Sequence, residues 1–111
     1  VINAEIITED DCLELIIAPS VLNKLITKHD VRETEVEECF FNREHGFLTD
    51  TREEHKTDPP TKWFIAKTDL GRTLKVCFMV IEERIIIKTA FEPKDKKPEE
   101  IYFRAFGELK R

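Results

Sequence analysis

The sequence predicts a compact α+β domain, an antiparallel sheet with two helices on one face, in the order β-α-α-β-β-β-β-α. Three observations lead there. Residues 62–91 form three runs rich in β-branched and aromatic residues, parted by Asp69-Leu70-Gly71-Arg72 and by Glu82-Glu83, the pattern of a three-stranded meander. Residues 20–41 repeat their apolar side chains at helical spacing instead. The 111 residues suffice for one domain with one core, spanning 1–111.

The meander's register follows from its second turn. With Glu82-Glu83 as a two-residue hairpin loop, Val80 opposes Ile85, Phe78 opposes Ile87, Val76 opposes Thr89 and Leu74 opposes Phe91. That apolar face is the expected core face. The other face carries Lys75, Cys77, Met79, Ile81, Arg84, Ile86, Lys88 and Ala90. An even-length first loop adds Trp63 and Ile65 to the core face and turns Phe64 and Ala66 outward. An odd-length loop reverses that strand, because the side-chain period is two.

Around the meander the elements take their places in order. Residues 1–8 alternate weakly, as a strand does, and residues 12–17 suit an edge strand. Pro19-Ser20 opens a helix with Ser20 as N-cap, and Val21, Leu22, Leu25 and Ile26 share one face up to His29. A second helix over residues 33–41 places Val36, Cys39 and Phe40 on one stripe and Glu33, Glu37 and Glu38 on the wet side. Residues 47–50 form a short strand. Residues 51–61 are a polar loop stiffened by Pro59-Pro60. After Pro93 a charged connector leads to a last short helix with Pro98 in its first turn and Glu99 and Glu100 at its positive end.

Composition narrows the function classes. The charge is −5 with 37% charged residues, which disfavours a general nucleic-acid binder. The acid is concentrated before residue 62, however, and the second half carries enough Lys and Arg for a local basic surface. Cys12, Cys39 and Cys77 are widely spaced and odd in number, which suits buried thiols in a reduced cytoplasm. No CxxC or HxxxH spacing suggests a zinc site, and no cofactor motif is present.

Several residues in this layout resemble the BrnT family: Lys28-His29 with Val31, the run 35–41, Asp50, Phe64-Ile65-Ala66, Gly71-Arg72, Ile87-Lys88-Thr89-Ala90 and Tyr102. The likeness covers residues 20–104 and rests on the order of the motifs. It implies a RelE-like fold and a ribonuclease toxin of a bacterial toxin–antitoxin pair, metal-independent and neutralised by a partner antitoxin. The sequence departs from the family pattern at Phe91, where an arginine is usual, and in its acidic charge. The stretch 50–60 also looks like a subgroup of small bacterial proteins labelled ADP-ribosyl-(dinitrogen reductase) hydrolase, although hydrolases of that activity are several times larger and use a carboxylate-rich di-magnesium site whose spacing this sequence lacks.

Under this resemblance the catalytic candidates are His55, Lys75, Lys88 and Arg72. His55 has the acid–base chemistry to move a 2′-hydroxyl or leaving-group proton. Lys75 and Lys88 share the outward face by register, with Lys62, Lys67 and Arg72 on or beside the neighbouring strand, and such cations grip phosphate. Phe64, Met79 and Ile86 on that face need cover, which an antitoxin helix or a second copy in a homodimer supplies. Two readings stay open: a ribonuclease acting on RNA, and a non-catalytic protein-binding module on the same fold.

Overall fold

The computed structural model describes residues 14–52 and 57–107. The strand expected over residues 1–8, Cys12 and His55 lie outside them. Strand β1 (Glu14–Ile16) leads into helices α1 (Pro19–His29) and α2 (Glu33–Asn42). Strands β2 (Leu48–Thr49), β3 (Lys62–Lys67), β4 (Thr73–Ile81) and β5 (Arg84–Phe91) follow, and α3 (Lys97–Ala105) closes the order. The α+β class and the element order match expectation. No helix of the described residues is long and apolar enough to cross a membrane.

The sheet order is β1-β5-β4-β3-β2, and the sheet is mixed rather than antiparallel throughout. The difference lies in β1, which runs parallel to β5 with Leu15 beside Ile85 and Ile16 beside Ile86. Hairpins dictate antiparallel neighbours only for strands they join. No hairpin joins β1 to β5, because the chain leaves β1 for the helices and returns at the opposite edge, at β2.

Helix α1 begins one residue before the expected Ser20 cap. Pro19 takes the first turn and Ala18 the N-cap, since proline's fixed φ suits a helix start. At its end Asp30 adopts a left-handed conformation (φ 55°), and the Val31 N–H returns to the Leu25 carbonyl at 2.9 Å. The chain thereby reverses directly into α2. There the Arg32 N–H donates to the Glu35 carboxylate at 3.0 Å, the back-reaching half of a capping box. Leu25, Val36, Cys39 and Phe40 of this helical hairpin are buried as their spacing predicts and Val31 between the helices is buried too, whereas Val21 and Leu22 are half-buried and Ile26 is exposed.

The helices lie on a sheet face centred on four phenylalanines. Phe40 of α2 meets Phe64 of β3 and Phe78 of β4 edge-on, with centroids 4.7 and 5.4 Å apart, and Phe47 meets Phe78 at 4.8 Å. Such pairs each add about 0.5–1.5 kcal/mol beyond the area they bury.

Two details of register correct the expected faces. The β3–β4 loop holds an odd number of residues, 68–72, between the paired Lys67 and Thr73. Phe64 and Ala66 therefore point to the helix-covered side of the sheet, and Trp63 and Ile65 lie on the other side, where Ile65 is nonetheless buried. The loop is set by Thr68 and Arg72, whose backbones bond at 2.8 Å, and by Gly71 at φ 88°, a conformation open to glycine. The second correction is a β-bulge. Val80 faces Ile85 and Phe78 faces Ile87 as the hairpin dictates, but Cys77 then faces Thr89, leaving Lys88 as the extra residue. Beyond it Val76 opposes Ala90, which is buried, and Lys75 opposes Phe91.

Helix α3 approaches β3 from the Trp63 side, where the Tyr102 ring lies tilted 6.0 Å from the indole and its hydroxyl donates to the Gly46 carbonyl at 2.6 Å. The face opposite α1 and α2 is thus partly roofed rather than open. Phe64→Ala and Phe78→Ala are each expected to lower the unfolding free energy by about 3–5 kcal/mol, the range for a buried aromatic. Lys75→Ala should cost about 1 kcal/mol or less. Urea denaturation checks the difference, and equal losses at Phe64 and Lys75 would contradict the odd-loop register.

Candidate functional site

Between the start of α3 and the Trp63 side of the sheet lies a cleft of about 670 Å³. Its walls come from β2 and the segment after it (Asp50, Arg52), from β3 and β4 (Trp63, Lys75) and from the entry to α3 (Asp95, Lys97). Lys75 reaches it because alternation along β4 turns it away from Leu74 and Val76, which are buried in the core. Its ammonium stands 4.5 Å from the Trp63 ring centre and 6.0 Å from that of Phe91. Cation–π attraction holds the charge there, and among the described residues no carboxylate forms an ion pair with it.

Asp50 and Arg52 form the neighbouring wall. The Arg52 guanidinium grips Asp50 through two bonds, Nε to Oδ1 at 3.0 Å and Nη2 to Oδ2 at 2.9 Å. The carboxylate is mostly shielded (13% exposed) while the guanidinium is 58% exposed, so the pair presents its cationic side to solvent. Backbone bonding from the Asp50 N–H to the Thr61 carbonyl at 2.8 Å ties this wall to the sheet. On the facing wall Asp95 accepts the Lys97 N–H at 2.9 Å. Cys77 sits within the field of these groups. Burial pushes its thiol up, Lys75, Lys88 and Arg52 pull it down, and Asp50 pushes it up again.

The structure distributes the residues expected from sequence unevenly. Lys75 lines the cleft. Lys88, at the bulge, bonds the Thr61 hydroxyl at 3.2 Å and lies outside the cleft lining. Lys62 is buried and donates to the Thr49 hydroxyl at 2.8 Å. Arg72 is engaged elsewhere: it donates to the carbonyls of His29 (3.0 Å) and Asp30 (2.6 Å), and to Glu35 and Glu92. Phe64, expected to face a partner, is 0% exposed, because the odd loop turned its strand over. Met79 and Ile86 remain half-buried on the far face, with Met79 sulfur 3.9 Å from the Thr57 hydroxyl.

Arg52, Trp63 and Lys97 were not singled out by sequence reasoning. Arg52 reads as part of a solvated charge run and Trp63 as core. A usable signal existed in the Asp50-x-Arg52 spacing, which brings both side chains to the same side of an extended segment. Comparison of the chain with protein-family models, with curated proteins and with solved structures finds no match.

Two expectations follow. Arg72→Ala should lower stability by about 1–3 kcal/mol in urea denaturation, the loss typical of bonds to charged groups; a silent substitution would return Arg72 to the set of candidate site residues. For the thiols, burial comes first, with Glu35 and Glu38 adding to it, in pushing Cys39 up to about 12. Near pH 8 neither Cys39 nor Cys77 carries much thiolate while folded, so both should alkylate far more slowly in native than in denatured protein, with the native pH–rate curve displaced upward. Labelling of either at the denatured rate would contradict the packing described.

Proposed function

We propose that this protein is a toxin-like, metal-independent endoribonuclease of the BrnT kind, acting on RNA in the cytoplasm and neutralised by a partner antitoxin. One observation carries the reading: Arg52, Lys75 and Lys97 line a single cleft together with the Trp63 indole, on which Lys75 rests at 4.5 Å. Cations at this spacing suit a phosphodiester, and an aromatic ring beside them suits an unstacked base.

The chemistry asks little more of the chain. The 2′-oxygen attacks the adjacent phosphorus, the bond to the 5′-oxygen breaks, and a 2′,3′-cyclic phosphate forms. One group takes the 2′-hydroxyl proton and another protonates the leaving oxygen. In this reading Lys75 and Arg52 stabilise the charge that builds on the phosphoryl oxygens. Lys88 lies further out as a contact to flanking phosphates. His55, three residues beyond Arg52 in the chain, supplies the acid–base function. Arg72 is assigned no catalytic part, since its donors hold the helical hairpin. The antitoxin covers the cleft and the adjoining Met79 and Ile86 surface.

The second reading, a non-catalytic binding module, draws on Asp50 and Asp95 in the same cleft and on the net charge of −5. Controlled expression in bacteria separates the two. The ribonuclease reading expects growth arrest and fragmented total RNA, both relieved by His55→Ala and by Lys75→Glu. Purified His55→Ala should cut RNA about 10²–10⁴-fold more slowly, the usual cost of losing a general acid or base. Wild-type protein that leaves growth and RNA intact would leave only the binding module.

A further inference from the structure

Two large apolar side chains stand almost wholly in solvent at one corner of the molecule. Phe41 is 90% exposed and Leu70 is 97% exposed. Phe41 lies on the side of α2 opposite the buried stripe of Val36, Cys39 and Phe40. Glu38 and Glu37, three and four residues earlier, flank it on the helix surface. Leu70 sits in the turn that Gly71 closes with its N–H to the Thr68 carbonyl at 2.9 Å. Turn positions of this kind favour polar residues and glycine, so nothing in the turn's own geometry calls for a leucine.

Hydrogen bonds bring the two side chains to the same corner. The Asp69 N–H donates to the Glu38 carboxylate at 3.0 Å. Asn42 donates to the Asp69 carboxylate at 3.0 Å and to the Lys67 carbonyl at 2.9 Å. Glu38 and Asn42 neighbour Phe41 on α2, so the turn they hold brings Leu70 to the same end of that helix, each apolar side chain open to solvent. The corner is therefore fixed before any partner arrives, which lowers the ordering cost of binding. Its rim is acidic, with Glu33, Glu37, Glu38 and Asp69 set against Lys67.

We propose that the corner formed by Phe41 and Leu70 is a docking surface for a basic amphipathic helix of a partner protein. The apolar pair supplies anchors of the kind that dominate interfaces, and the acidic rim supplies complementarity to Lys and Arg around the partner's apolar stripe. A second copy of this chain is a poorer occupant. A two-fold contact would set Glu37, Glu38 and Asp69 against their own equivalents. An anionic membrane is repelled for the same reason. The surface also lies away from the cleft, since α2 covers the Phe64 and Phe78 face while the cleft opens on the Trp63 and Lys75 face. A partner held here leaves the cleft accessible, and the inference stands whether or not the cleft cuts RNA.

The test uses the full chain and a labelled Leu/Lys amphipathic helix of about five turns as probe. Fluorescence anisotropy should show binding that weakens as salt rises, and amide shifts in an NMR titration should cluster around residues 37–42 and 69–71. Phe41→Ser with Leu70→Ser should weaken binding at least about tenfold with an unchanged melting temperature, since both side chains are solvent-exposed. Glu37→Lys with Glu38→Lys should do the same. Ile81→Ser, an exposed apolar site at the far hairpin, should bind as wild type does. A Leu/Glu helix should not bind. The proposal is overturned if wild-type protein ignores the Leu/Lys helix, or if the paired serine variant binds it equally well. It is also overturned if that variant instead abolishes a concentration-dependent dimer, which would make a second copy the occupant.

Discussion

The guanidinium of Arg72 joins parts of the chain that would otherwise meet only through apolar contact. It donates to the carbonyls of His29 and Asp30 at the end of α1, to the Glu35 carboxylate of α2 and to Glu92 just past β5, while its own backbone closes the β3–β4 loop. A cation is well placed there, because the final carbonyls of a helix are unpaired and carry the negative end of its dipole. The same contact determines where the helical hairpin sits along the sheet. It also shortens the freedom of the loop whose length decides which side of β3 is buried.

That loop and the bulge at Lys88 together assign every side chain of the meander to a face. Much of this was legible in the sequence. The three strands, the two-residue hairpin at Glu82-Glu83, the helical stripes and the burial of Phe78 follow from periodicity and turn chemistry. The remainder was not, for a definite reason. A two-residue period is unforgiving, so one residue more in a loop exchanges Trp63 for Phe64. An inserted residue at position 88 exchanges Thr89 for Ala90. β3 is apolar on both sides there, and in β5 the small Thr89 and Ala90 fit either side, so composition does not choose between the alternatives. The parallel pairing of β1 was hidden because it depends on where the helices return the chain, which no local signal encodes.

The cleft was legible in one of its members. Lys75 stands out as a cation inside a strand that is otherwise apolar. Arg52 and Lys97 belong to charged stretches, where one more cation carries no information until the fold brings it into the same cleft as Trp63. Arg72 was conspicuous in the sequence and proved to be engaged with backbone carbonyls and carboxylates. A lone arginine near a tight turn has two common employments, and the sequence does not distinguish them.

The lengths of the strands bear on how this molecule survives at high concentration. The three central strands run over Lys62–Lys67, Thr73–Ile81 and Arg84–Phe91, while the outer ones, Glu14–Ile16 and Leu48–Thr49, are much shorter. β1 pairs with β5 only from Arg84 to Ile86. Among the described residues no strand pairs with the outer side of β5 over residues 87–91. An edge without a strand partner is an invitation to another chain's strand wherever its backbone is open to solvent. The bulge falls within this stretch, and the residue it displaces is a lysine. A local twist and a charge at one point spoil the flat, neutral edge on which sheets of different molecules would grow together. Lys88 thus sits where a charge and a kink oppose growth of the sheet by strand addition, whatever ligand the cleft takes.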